Sequence, residues 1–185
     1  MRPLVPLVLL DCDGILSDFV GQFLWGIYRH YGVNYDREAV TEFGFGNLPG
    51  WDDLKAKNVW SLCKQPGFVA SMAVLPGAIT GVSRLRAIAD VEVCTSPFAG
   101  SLYWAGERDA WLVEHFGFEH HDIHHVRKKY RMNADLLVDD SGDNVEAWAR
   151  ETGNVGILWD RSYNRQFVAT RVRSWDEVIA AVRAL

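Results

Sequence analysis

Near the start of the chain, the run from Pro3 to Leu10 carries no charged or hydrogen-bonding side chain, and it passes directly into Asp11-Cys12-Asp13-Gly14. The run is far shorter than the roughly 20 apolar residues needed to cross a bilayer as a helix. With Arg2 ahead of it, it imitates a short secretory signal, but acids follow where a small-residue cleavage site would stand. A strand in the middle of a parallel sheet explains it better. Such strands are buried on both faces and read as continuous aliphatic stretches. Gly14 then permits a tight turn.

The rest of the chain sets helical periods between short apolar runs. Phe19, Phe23, Ile27 and Tyr31 fall at helical spacing and predict a helix over Asp18 to Tyr31. Pro76-Gly77 opens a helix to Ala89. Strands are then expected at Val91 to Thr95, Ile123 to Val126, Ala134 to Val138 and Val155 to Trp159. Helices are expected at Tyr103 to Phe116, Val145 to Thr152 and Ser174 to Leu185, the last opened by a Ser174/Glu177 capping box. This alternation predicts an α/β fold: a Rossmann-like parallel sheet with helices on both faces. Residues 33 to 72 differ. Gly44, Gly46, Pro49, Gly50, Pro66 and Gly67 lie among aromatics with no clear strand, so a small helical insertion is expected, with one helix near Trp51 to Leu62.

A length of 185 residues suffices for one such domain with a real core and an insertion. The formal charge of −5, from 19 basic and 24 acidic residues, disfavours a nucleic-acid polymer or an anionic membrane as partner. Cys12, Cys63 and Cys94 are odd in number and widely spaced, which gives neither a disulfide framework nor a zinc pattern. Free buried thiols suit a reducing compartment, so a cytoplasmic location is expected.

Sites in open parallel sheets lie at the carboxyl ends of the strands. Three polar clusters occupy such ends here: Asp11-Cys12-Asp13, Thr95-Ser96 and Asp139-Asp140. Asp11 and Asp13 are two residues apart and in an extended segment would face the same way, where like charges repel. Alone, Asp-x-Asp-Gly fits a solvated turn equally well. The second acidic pair shifts the balance, because four carboxylates converging on one crevice require a cation. All-oxygen ligation suits Mg²⁺ with a substrate phosphate. Thr95 and Ser96 offer hydroxyl donors to phosphoryl oxygens, and Lys129 offers a further positive charge. Singly, Thr95 reads as a strand-end cap and Lys129 as a solvated charge in Arg127-Lys128-Lys129.

In combination, Val8 to Gly14, Val93-Cys94-Thr95-Ser96, Lys129 and Leu136 to Asp140 resemble the four motifs of the haloacid dehalogenase superfamily of phosphatases. Asp13 to Phe19, Cys94 to Pro97, Ala134 to Asp140, Tyr163-Asn164-Arg165 and Arg171 to Trp175 look closest to the 5′(3′)-deoxyribonucleotidases. The resemblance implies that Asp11 attacks phosphorus and becomes an aspartyl-phosphate. Asp13 would protonate the leaving oxygen and then activate water. Mg²⁺ would be held by the Asp11 carboxylate, the Asp13 main-chain carbonyl and one of the last acidic pair, Asp140 being preferred over Asp139. It also implies a catalytic core of residues 1–16 and 76–185 and a small helical cap over residues 17–75.

Of the cap aromatics Phe43, Phe45, Trp51, Trp60 and Phe68, each serves equally well as cap core or as a surface for a nucleobase. Phe19, beside the catalytic loop, is the better pocket candidate, and Phe19, Trp60 and Ser96 are the expected substrate contacts. Two positions depart from the resemblance: Phe98-Ala99-Gly100 lacks the basic residue expected there, and Ser141 stands where Arg is expected. His120, His121, His124 and His125 imitate a metal cluster but read as a solvated loop, and the Cys12 side chain is expected to point into the core. The expected substrate is a 5′- or 3′-(deoxy)nucleoside monophosphate. A sugar phosphate or another small phosphomonoester is the alternative, and a non-catalytic binding protein on the same scaffold a more distant one. The aromatic-rich cap is a candidate homodimer interface.

Overall fold

A computed structural model describes residues 5–185. Six strands, β1 (Leu7–Leu10), β2 (Asp90–Thr95), β3 (Ile123–His125), β4 (Leu136–Asp139), β5 (Val155–Trp159) and β6 (Thr170–Val172), form one sheet in the order β3-β2-β1-β4-β5-β6. Every pairing is parallel. The α-helices are α1 (Phe19–Tyr31), α2 (Trp51–Ala56), α3 (Ala78–Leu85), α4 (Trp104–Phe116), α5 (Gly142–Thr152) and α6 (Trp175–Arg183). The α/β, Rossmann-like parallel sheet is therefore present. The beginning of the expected first strand, at Pro3 and Leu4, lies outside the described residues, as do Arg2 and the start of the signal-like stretch.

The sheet is buried on both faces, which is why β1 reads Leu-Val-Leu-Leu and β4 reads Leu-Leu-Val before its terminal Asp139. Val8, Leu10, Val91, Val93, Leu136 and Val138 share a core with residues of α3, α4 and α6. Leu9, Cys94 and Leu137, the alternating positions, pack with Trp148 of α5 on the other face. Leu10 pairs with Val93 on one side and Val138 on the other. That register brings Asp11, Thr95 and Asp139 to neighbouring strand ends. The strand order reverses about β1, and at such a switch point the crevice beyond the strands is open to a ligand.

Local chemistry sets the helix limits. Asp18 caps α1, its Oδ1 accepting from Gly21 N at 2.9 Å, and Gly32 ends the helix in the left-handed region. Ser141 caps α5 by accepting from Asn144 N at 3.4 Å. Only half of the expected capping box forms at α6. Ser174 Oγ accepts from Glu177 N at 3.3 Å, but Glu177 Oε2 accepts from Arg173 N at 2.6 Å rather than from Ser174 N. The single helix expected near Trp51 to Leu62 is broken, because Asn58 adopts a positive φ of 57° between α2 and a 3₁₀ segment at Val59–Lys64. The helix expected to reach Ala89 stops at Leu85. β6 was not expected: three residues, Thr170–Val172, carry too little pattern to read as a strand.

Between β1 and α3 the chain leaves the sheet and builds a second apolar cluster of its own. Phe23, Phe45, Trp51, Leu54, Leu62 and Met72 are buried in it, and Trp104 at the start of α4 and Tyr163 in the segment after β5 join it. Phe23 is the hub, its ring centroid 4.6 Å from Trp60 and 4.7 Å from Phe45. These contacts seat the insertion over the carboxyl ends of the strands. Among the described residues no helix is long and apolar enough to cross a membrane.

Candidate active site

The floor of the site is set by the ends of β1 and β4. Asp11 N donates to Val138 O at 2.9 Å, which fixes Asp11 beside the end of β4. Carboxylate oxygens of Asp11, Asp139 and Asp140 all lie within 4.8 Å of one another. Lys129, only 2% exposed, bridges two of them, with Nζ 2.7 Å from Asp11 Oδ1 and 2.7 Å from Asp139 Oδ2. Burial pushes the Asp11 pKa up to about 7. The Lys129 charge opposes the shift, and repulsion from Asp139 and Asp13 adds to it. Burial alone would lower the Lys129 pKa, but Asp11 and Asp139 outweigh it and hold the ammonium charged.

The acidic pair divides its tasks. Asp139 is fully engaged: Oδ2 also accepts from Asn144 Nδ2 at 3.0 Å, and Oδ1 accepts from Ser141 N at 2.8 Å. Asp140 accepts the Tyr163 hydroxyl at Oδ2, and its Oδ1 has no protein donor among the described residues. Burial and repulsion from Asp11 and Asp139 raise the Asp140 pKa well above the usual carboxylate range. Three buried carboxylates facing one lysine leave excess negative charge, and such an all-oxygen group suits a hard divalent cation. Gly14 is required beside them: its φ is +76°, and a Cβ there would overlap the Asp140 carboxylate and the Tyr163 hydroxyl. Arg161 secures the same loop, with Nε donating to Gly14 O at 3.0 Å.

Of the four carboxylates expected to converge on one crevice, Asp13 lines the cavity with Asp11 and Asp140 but is not one of the three that group within 4.8 Å. The chain turns at Cys12, whose carbonyl accepts from the amides of Leu16 at 2.8 Å and Ser17 at 2.9 Å, so the extended geometry behind that expectation ends there. Asp13 lines the cavity above, and its Oδ1 is 2.6 Å from Arg108 Nη2. Sequence reasoning passed over Arg108, although a signal was present. Trp104, Arg108, Trp111 and Leu112 fall on one face of α4, and all four are buried, so a charge interrupts an apolar stripe. Cys12 points inward as expected, and burial pushes its thiol pKa up to about 12. All three cysteines are free and buried.

Above the floor lies a cavity of about 360 Å³. Phe19, Trp60 and Ser96 line it, as the sequence reading expected, together with Phe98, Trp104 and Arg127, which it had not singled out as substrate contacts. Phe45 also reaches the cavity, whereas Trp51 and Phe68 belong to the insertion's own core. Phe43 lines the rim and is 66% exposed. Thr95 is buried beneath, its hydroxyl without a partner among the described residues, while Ser96 Oγ donates to Val126 O at 3.4 Å. No basic side chain stands at Ala99 or Ser141, and Arg127 is the cation at this wall. Among the described residues the histidines form no metal group, and His124 and His125 lie in β3, partly buried, rather than in a solvated loop. His124 Nε2 pairs with Glu92 at 2.7 Å and His125 Nε2 with Asp109 at 2.6 Å.

Comparison with known proteins bears on the family and on the fold. The chain is 29% identical over 180 residues to the cytosolic-type 5′(3′)-deoxyribonucleotidase of Homo sapiens, covering 92% of this chain and 89% of that protein. It is 34% identical over 151 residues to the mitochondrial 5′(3′)-deoxyribonucleotidase of Mus musculus, covering 74% of this chain and 64% of that protein. Among solved structures, a HAD family hydrolase from Deinococcus radiodurans R1 with bound phosphate and sodium superposes with a TM-score of 0.60 at 14% identity, covering 97% of this chain and 96% of that one. A haloacid dehalogenase-like hydrolase from Streptococcus pneumoniae gives a TM-score of 0.60 at 14% identity, covering 96% and 98%. At such identity these two speak to the fold alone. Matched across residues 5–185, the chain belongs to the family described as 5′ nucleotidase, deoxy (pyrimidine), cytosolic type C protein.

Proposed function

We propose that the protein is a Mg²⁺-dependent phosphomonoesterase that transfers phosphate to Asp11 and prefers 5′- or 3′-(deoxy)nucleoside monophosphates. The observation that carries this reading is the position of Asp11: pinned by Lys129, grouped with Asp139 and Asp140, and placed at the bottom of an aromatic-walled cavity. Residues 1–16 and 76–185 would supply the chemistry, and residues 17–75 would act as the cap.

Asp11 would hold the cation with Asp140, whose Oδ1 has no protein donor among the described residues, and with the Asp13 carbonyl. When bound, the cation supplies positive charge that offsets the repulsion between carboxylate and phosphate. An Asp11 oxygen forms the new bond to phosphorus as the ester P–O bond breaks, and the proton carried by Asp13 passes to the departing oxygen. Water then attacks the phosphoryl group and gives a proton back to Asp13, releasing inorganic phosphate and free Asp11. Lys129 keeps Asp11 oriented and offsets its charge. The unpartnered Thr95 hydroxyl is available to a phosphoryl oxygen.

The apolar lining supports a leaving alcohol that carries an aromatic base over a small sugar, with Phe19 and Trp60 as the faces available to that base. Purified protein with Mg²⁺ should therefore turn over dUMP or dTMP with higher kcat/KM than glucose 6-phosphate or glycerol phosphate. Equal or better rates on the sugar phosphates would discard the nucleotide preference and keep the phosphatase. No turnover of any ester would discard both.

A further inference from the structure

Arg108 is 0% exposed and lies outside the cavity, yet it reaches the catalytic loop from beneath. Its Nη2 donates to Asp13 Oδ1 at 2.6 Å. Its Nη1 donates to Ser17 Oγ at 2.9 Å and lies 2.9 Å from Cys12 Sγ. Ser17 Oγ in turn donates to the same Asp13 Oδ1 at 2.7 Å. Both donors therefore converge on one oxygen of Asp13. The other, Oδ2, has no protein donor among the described residues, and the side chain is 24% exposed at the cavity. The guanidinium is itself held, 5.3 Å from the Trp104 ring centroid and 5.9 Å from that of Trp111.

We propose that Arg108, acting with Ser17, is a positioning residue for Asp13: it grips Oδ1 from below and so presents Oδ2 as the oxygen that hands a proton to the departing ester oxygen. The proposal rests on the phosphatase reading above and assigns a residue that reading does not use. Stability gives little reason for the pair, since a packed apolar side chain in place of a buried ion pair is often neutral or stabilising. Arginine fits the task where lysine would not. A planar fork can serve Asp13 and Ser17 at once, whereas a single ammonium serves one geometry less rigidly. Without the grip, the Asp13 side chain is free to rotate, and the proton is misplaced relative to the leaving oxygen.

The test compares benzyl phosphate, whose alkoxide needs a proton to leave, with p-nitrophenyl phosphate, whose phenolate does not. The two are similar in size, so the cavity holds them alike. In Arg108→Met, kcat/KM for benzyl phosphate should fall roughly 10²-fold, and that for p-nitrophenyl phosphate by less than about fivefold. Ser17→Ala should show the same selectivity with a smaller loss, and Arg108→Lys should recover part of it. Adding Arg108→Met to Asp13→Asn should cost benzyl phosphate nothing further, because the group being positioned is already disabled. Equal losses on both esters, in variants that melt within a few degrees of the parent, would overturn the proposal and leave Arg108 a structural ion pair. If Arg108→Met does not fold, Ser17→Ala decides by the same ratio. Wild-type protein that hydrolyses neither ester would defeat the phosphatase reading itself.

Discussion

The floor and the roof of the cavity are built from opposite materials. The floor, at the ends of β1 and β4, is a buried network of charge in which Asp11, Lys129, Asp139 and Asp140 constrain one another. The roof, from the insertion, is almost all ring: Phe23, Phe45, Trp51 and Trp60 pack edge to face, tilted or stacked, and Phe19 lines the cavity. Charge held in a low-dielectric site acts on any phosphoryl group brought to it. Rings discriminate by what lies beyond the phosphate. The division predicts that floor substitutions lower turnover of every ester alike, whereas roof substitutions change the ranking among esters.

The largest effect should come from Asp11. Asp11→Asn keeps the shape but removes the attacking charge, and turnover of nucleotide and of small ester should both fall by roughly 10³-fold or more. Initial rates on dUMP and p-nitrophenyl phosphate measure this. Substantial activity remaining on either would break the covalent mechanism. Removing the cation is next. With EDTA both activities should disappear and return with added Mg²⁺, since among the described residues the three buried carboxylates have one paired cation, Lys129, to oppose them. Full turnover in metal-free buffer would show that the floor works without a cation.

The roof should behave differently. Phe19 stacks on Phe23 at 5.8 Å and meets Trp104 edge-on at 6.2 Å, so its ring is presented in one orientation. Stacking a base on such a ring contributes about 1–3 kcal/mol, or roughly ten- to a hundredfold in affinity. Phe19→Ala should raise KM for dUMP by about that factor while barely changing KM for glycerol phosphate. A parallel rise on both substrates would mean that the ring only supports the floor.

The two regions were also unequally legible in the sequence. The floor could be read because a strand buried on both faces must be aliphatic, and the acids that interrupt it fall at its end. Asp11, Thr95, Asp139 and Asp140 stand at strand ends, as that reading expects, whereas Lys129 reaches them from a 3₁₀ segment before β4. The Asp13 carboxylate faces the same cavity as Asp11 but stands outside the close group, because the chain one residue past the strand enters a turn closed on the Cys12 carbonyl. Arg108 could not be paired from sequence, because its partner lies 95 positions away. In the roof, composition announced aromatics without dividing core from lining. Trp51 and Trp60 differ only in which way a broken helical segment turns them. The break is at Asn58, in a positive-φ conformation that asparagine tolerates but does not advertise.

The smallest expected effect lies at the margin between the regions, at Ser141. This residue lines the cavity, and its hydroxyl accepts from Asn144 N at the start of α5, which makes it a helix cap. The resemblance to deoxyribonucleotidases leads one to expect a cation here, and the cap gives a local reason for serine instead. In Ser141→Ala the backbone amide still donates to Asp139 Oδ1, so the floor network keeps its geometry. The lost cap should cost about 1 kcal/mol, which for a chain of this size lowers Tm by roughly 2–4 °C. If the hydroxyl serves only the helix, kcat/KM for dUMP and for glycerol phosphate should change by the same factor, leaving their ratio as it was. Thermal denaturation and the two rate measurements on one preparation decide the matter. A changed ratio with an unchanged Tm would place the Ser141 hydroxyl among the groups that contact the substrate, and the boundary between an indiscriminate floor and a selective roof would have to be drawn through α5.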